Sequence, residues 1–149
     1  MPTKAARSLI IVLLSVFTMA AVALAGGKED IAAGNQAAQA GQFNKAITFY
    51  TKAIASKQLT PSNKAVAYNN RASARDDLGQ TKAALADYAQ AIAIDPEYAE
   101  AYYNRSYAYE KLKQWNQALA DASKAAQLQP DDETYLQREH YLRSKAQGK

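Results

Sequence analysis

Between Tyr68 and Pro130 the chain says nearly the same thing twice. Tyr68-Asn69-Asn70-Arg71-Ala72 returns 34 residues later as Tyr102-Tyr103-Asn104-Arg105-Ser106. Ala84-Leu85-Ala86-Asp87 returns as Ala118-Leu119-Ala120-Asp121, Ala91 as Ala125 and Pro96 as Pro130. A period of this length marks a helix–turn–helix unit that cannot bury its apolar face alone and so stacks on its neighbours. Four prolines and six glycines in 149 residues, against abundant alanine, glutamine and leucine, favour helix throughout.

Counting each unit from position 1, one unit starts at Ala65 and the next at Ala99, and a weaker one starts near Gly27. Small residues then fall in register. Position 8 is Gly34, Ala72 and Ser106; position 20 is Ala46, Ala84 and Ala118; position 27 is Ala53, Ala91 and Ala125. Two helices approach closely only where side chains are short, and bulkier neighbours then fill the space around the contact. Phe43, Ile47, Tyr50, Leu78, Leu85, Tyr88, Ile92, Trp115, Leu119 and Leu128 are the expected fillers. Gly41 and Gly79 close the first helix of their units, where a left-handed residue is often needed, and Lys113 stands there in the third. Asp95-Pro96 and Gln129-Pro130 end second helices and open the next unit.

The N-terminus reads differently. Lys4 and Arg7 precede an uncharged stretch, Ser8 to Gly27, with the apolar run Leu9 to Leu14 and the small-x-small pattern Ala23-Leu24-Ala25. That order describes a secretory signal peptide over residues 1–25, the alternative being an uncleaved membrane anchor. Both place the repeats outside the cytoplasm: periplasmic or secreted if cleaved, inner-membrane anchored and facing the periplasm if not. Setting Lys4 and Arg7 aside leaves 16 basic against 14 acidic residues, interspersed rather than clustered, which argues against nucleic acid as a partner. The absence of cysteine excludes disulfides and thiol chemistry, so an exported domain must hold together by packing.

The 34-residue register with its small residues at positions 8, 20 and 27 resembles the tetratricopeptide repeat (TPR) family. The resemblance implies an all-α fold, an α-solenoid of three antiparallel helix–turn–helix units with a C-terminal capping helix. The units are residues 27–60, 65–98 and 99–132, with 61–64 as a connector inside the stretch Lys57 to Lys64 that reads as a loop, and 133–149 as capping helix and tail. In the cap, Tyr135, Leu136 and Leu142 are expected inward and Arg138, Glu139, Arg143 and Lys145 outward. The first unit departs from the pattern with Asp30 and Ala37 where bulk is usual, and the third has Ala122 where an aromatic residue is usual. The helix near Lys28 to Ala40 is therefore expected to be the least stable.

Arg71 with Asp87 and Arg105 with Asp121 recur together at one spacing, which reads as an ion pair between the two helices of a unit rather than a ligand-binding row. The resemblance also implies a concave groove lined by the first helix of each unit. On this sequence the candidate peptide-binding residues are Asn35, Asn69, Asn70, Ser73, Asp77, Tyr103, Asn104, Tyr107 and Lys111. Asparagine is a poor helix-interior residue, and its amide both donates to and accepts from a peptide backbone, so Asn70 and Asn104 read as a ladder for an extended peptide. Cochaperone members clamp a C-terminal carboxylate with three cations. Here Asn35 and Asn70 of that set are present, but Ile31, Glu100 and Asn104 stand where the cations belong, so a carboxylate-clamp chaperone tail is not expected.

No constellation for catalysis can be assembled. His140 is the single histidine, and no glycine-rich phosphate loop or nucleophile elbow occurs. The chain is not expected to be an enzyme or to need a metal or other cofactor. The expectation is an exported adaptor that binds a protein or extended peptide in its groove. The alternative is a self-associating or envelope-tethered scaffold, with a membrane involved only if the leader stays attached.

Overall fold

The computed structural model describes residues 26–148. The signal-peptide expectation concerns residues 1–25 and lies outside them. Seven helices are present among the described residues: α1 (residues 26–39), α2 (Phe43–Ala55), α3 (Pro61–Asp77), α4 (Thr81–Ile94), α5 (Ala99–Lys111), α6 (Trp115–Leu128) and α7 (Glu133–Ala146). The array is the all-α solenoid that the 34-residue period implies. None of these helices is long and apolar enough to cross a membrane.

The period is built from small residues under large ones. Ala46, Ala84 and Ala118 are fully buried, as are Ala53, Ala91 and Ala125, so the helices of each unit meet backbone to backbone. Tyr50 and Tyr88 fill the first two units beside those alanines. The third unit, with Ala122 in that place, is completed from outside: Leu142 of α7 is buried with Ala118 and Ala122, and Trp115 and Leu119 pack around them. Leu78, an expected filler, instead lies 37 % exposed, because it is already past the last turn of α3.

The turns repeat as faithfully. Gly41 and Gly79 adopt φ of 70° and 74°, and Lys113 takes the same left-handed conformation at 57°. In each, the next residue's N–H reaches back to close the helix: Gln42 to Ala37, Gln80 to Arg75 and Gln114 to Tyr109, all at 2.9 Å. Lysine therefore carries a conformation that glycine adopts without strain.

Two expectations are corrected. Residues 61–64 are the first turn of α3, not a loop: Pro61 opens the helix and the Thr60 hydroxyl accepts from the Asn63 N–H at 3.2 Å. The four additional residues thus lengthen α3 to 17 residues against 13 in α5. In α7 the inward face is reversed at two positions. Leu136 is 39 % exposed, whereas Arg138 is 6 % exposed, drawn in by Glu110 at 2.6 Å and by Ser106 Oγ at 2.9 Å. Asp30, the unusual residue of α1, is buried against Lys52 at 3.1 Å.

Candidate functional site

The arginine–aspartate pairs are structural. Arg71 grips Asp87 through Nε and Nη2 at 2.8 and 2.7 Å, and Arg105 grips Asp121 the same way at 2.7 and 2.8 Å. Arg75 adds a third contact to Asp87 at 2.6 Å. These bidentate pairs tie the first helix of a unit to the second. They leave α1, α3, α5 and α7 to present the remaining polar residues on one face.

On that face the asparagines bond chiefly to one another. The Tyr50 hydroxyl donates to Asn35 Oδ1 at 2.8 Å, and Asn70 Nδ2 donates to the same oxygen at 3.0 Å. Asn69 Nδ2 lies 3.2 Å from Asn70 Oδ1 and 3.3 Å from both the Tyr98 hydroxyl and Glu100 Oε1, so its hydrogens are shared among three oxygens. Asn104 Nδ2 donates to Asn69 Oδ1 at 3.1 Å. The chain of amides runs from α2 through α1 and α3 to α5, with Asn69 buried at its centre. Asn69 is therefore a strut inside the groove wall rather than a contact surface. Asn70 and Asn104 belong to this lattice; Asn70 uses both its amide groups in it, whereas Asn104 Oδ1 makes no bond among the described residues.

The other candidates separate into two groups. Asn35, Asn70, Ser73 and Asp77 line a cleft of about 300 Å³ between α1 and α3, floored by Ala74 and the Tyr50 ring. Tyr103 and Tyr107 stand at the far end. Their hydroxyls are 3.0 Å apart and their rings meet edge to face at 5.1 Å. Burial first, then the Tyr107 hydroxyl, pushes the Tyr103 phenol up to about 12. Lys111 is not available to a ligand as a free charge, because its ammonium is 2.7 Å from Asp76. The two groups do not share one pocket.

Residues the sequence reading did not single out complete the far end. Arg138 lies under the Tyr107 ring at 3.5 Å, and with Tyr103, Tyr107, Gln137 and Tyr141 it lines a smaller cleft of about 220 Å³ between α5 and α7. The signal was present: Arg138 follows Asn104, and Tyr141 follows Tyr107, by one further 34-residue step. Carrying the period into α7 places both on the concave face. Among the described residues no group of three or more side chains could hold a metal ion.

Comparison with known proteins fits this geometry. A family described as TPR repeat matches residues 73–113, and one described as tetratricopeptide repeat matches residues 99–132. Small glutamine-rich tetratricopeptide repeat-containing protein 2 of Mycosarcoma maydis is 39 % identical over 77 residues, which is 52 % of this chain but 21 % of that protein. The chain thus spans about a fifth of the length of this curated relative. The TPR domain of Arabidopsis OM64 is 34 % identical with a TM-score of 0.73, over 82 % of this chain and 98 % of that domain. The first TPR of Spaghetti (RPAP3), solved with the HSP90 peptide SRMEEVD, is 26 % identical with a TM-score of 0.74, over 83 % of this chain and 94 % of that one. Repeat period, helix pairing and these similarities agree: the chain belongs to the tetratricopeptide repeat family.

Proposed function

We propose that this protein is an interaction adaptor that holds an extended protein segment along its concave face. The observation that carries the reading is the cleft between α1 and α3, where Asn35, Asn70, Ser73 and Asp77 bring polar groups around an apolar floor on a wall stiffened by the asparagine lattice. A rigid wall loses little conformational freedom on binding, so more of the contact energy appears as affinity. The Spaghetti domain, similar in fold, holds a peptide. The acidic character of that peptide does not transfer, since Glu100 is exposed on this groove and Ile31 is buried where a clamp would need cations. We place the adaptor outside the cytoplasm on the strength of Lys4, Arg7, the apolar run and Ala23-Leu24-Ala25.

The test is capture from an envelope fraction by the wild-type protein and by Ser73→Phe, which fills the cleft from a half-buried position. Retained partners with the wild type and their loss with the variant, at equal thermal stability, support the reading. Equal capture by both sinks it. N-terminal sequencing of the exported protein decides the leader. Self-assembly has one observation in its favour, a recess of about 290 Å³ beside α1 and α2 in which Ala33, Ala37, Ala40 and Phe49 are edged by Gln36, Gln42 and Lys45. Sizing chromatography at two concentrations separates it from a monomeric adaptor.

A further inference from the structure

We infer that the cleft between α1 and α3 receives a lysine or arginine side chain, so that the partner segment is basic. This rests on the groove reading above and specifies its chemistry. The first support is the charge left over on the concave face. Lys111 is spent on Asp76, Arg138 on Glu110, Arg105 on Asp121, and both Arg71 and Arg75 on Asp87. Lys28 and Lys145 lie towards the two ends of the array, in α1 and α7. Asp77 lines the cleft, is exposed, and makes no ion pair among the described residues. Glu100 adds a second exposed carboxylate, held only by neutral donors, the Asn69 amide and the Tyr98 hydroxyl.

The second support is where Asp77 sits. It is the last residue of α3. A carboxylate in the last turn opposes the negative end of the helix dipole, so this position favours a cation on structural grounds. Among the described residues no cation pairs with it, Arg75 of the same turn being held by Asp87. The cleft's shape supplies the reason: Ala38 and Ala74 offer an apolar track for an aliphatic stem, and Ser73 and Asp77 stand where its charged head emerges. A lysine or arginine stem lies along that track while its head makes a charge-assisted hydrogen bond to Asp77. The Asn35 Nδ2 group beside it makes no bond among the described residues and can donate to the segment's backbone.

The experiment titrates the purified protein with three extended peptides, alternating alanine with lysine, glutamine or glutamate, and follows backbone amide resonances of α1 and α3. The lysine peptide is expected to shift the resonances of Asn35, Asn70 and Ser73 and to bind more weakly as salt rises. Asp77→Asn is expected to weaken it roughly tenfold, the loss of one charge-assisted contact. Asp77→Lys suits the helix end better, so it raises thermal stability while transferring preference to the glutamate peptide, which a purely structural role for Asp77 would not do. If all three peptides shift those resonances with equal affinity, the basic preference is overturned and the groove reading stands. If none shifts them, both are overturned.

Discussion

Replacing Gly34 by alanine inverts an ordinary rule. Inside a helix the exchange is worth about 1 kcal/mol in favour of alanine. Here the new Cβ would meet three atoms of the Tyr50 ring, with Cδ1 at 2.7 Å, Cζ at 2.9 Å and Cε1 nearer still. The ring has little freedom to retreat. Tyr50 is 2 % exposed, it packs among Ile31, Ala37, Ala46 and Ala53, and its hydroxyl is anchored on Asn35. Overpacking costs roughly 1–3 kcal/mol, and loosening the Tyr50–Asn35 hydrogen bond adds about 1 kcal/mol. Offset by the helix propensity gained, the net loss is about 1–3 kcal/mol. A domain of this size melts about 4 °C lower for each kcal/mol lost. Thermal melts by circular dichroism, with urea unfolding to convert them to free energy, measure it. A melting temperature unchanged or raised by Gly34→Ala would refute the reasoning. A second arm isolates the cause: with Tyr50→Leu already present, Gly34→Ala is expected to be neutral or stabilising, and an equal loss in both backgrounds would show that the ring is not responsible.

Other outcomes follow from the same geometry. Lys113→Gly relieves a left-handed lysine at φ 57° and is expected to raise stability by about 0.5–1 kcal/mol, read from the urea midpoint. Ala84→Leu inserts bulk into a site with no exposed surface and is expected to cost roughly 1–3 kcal/mol in the same assay. The tyrosines make the fold alkali-sensitive. Burial raises the Tyr88 and Tyr98 phenols, and Tyr103 is pushed up to about 12 from an ordinary 10.0. Folded values above the unfolded one mean stability intact below pH 10.0 and lost as pH climbs towards about 12. The last fraction of tyrosinate absorbance, from the buried phenols, should therefore appear together with loss of helical ellipticity; full ionisation with the helices intact would contradict it.

The fold was legible because a repeat states its packing rules more than once. Ala84 alone is an alanine; Ala46, Ala84 and Ala118 in register are a crossing point. The Arg71–Asp87 and Arg105–Asp121 pairs were legible for the same reason. What stayed hidden depends on contacts between units. Nothing within one unit shows that Asn104 bonds Asn69, or that Asn70 bonds Asn35, across helices. Thr60-Pro61 suits a helix start as well as a loop, and only the packing of α3 decides between them. The inward turn of Arg138 could be read only by carrying the 34-residue period on from Asn104, and its partners, Glu110 and Ser106 on α5, could not be read from α7 at all. Leu136 faces outward as the counterpart of that choice.

The burial of Leu142 against Ala122 has a consequence for how the protein comes into being. The first two units carry their own bulky residues, Tyr50 and Tyr88, and each core is completed by the first helix of the next unit, through Ala67 and Ala74 of α3 and Ala108 of α5. The third has a gap that a residue in the next helix must fill. Until α7 has been made, α6 shows its apolar stripe to water. Each unit therefore closes only when the helix that follows it is in place, and α7 is to the third unit what α3 and α5 are to the first two.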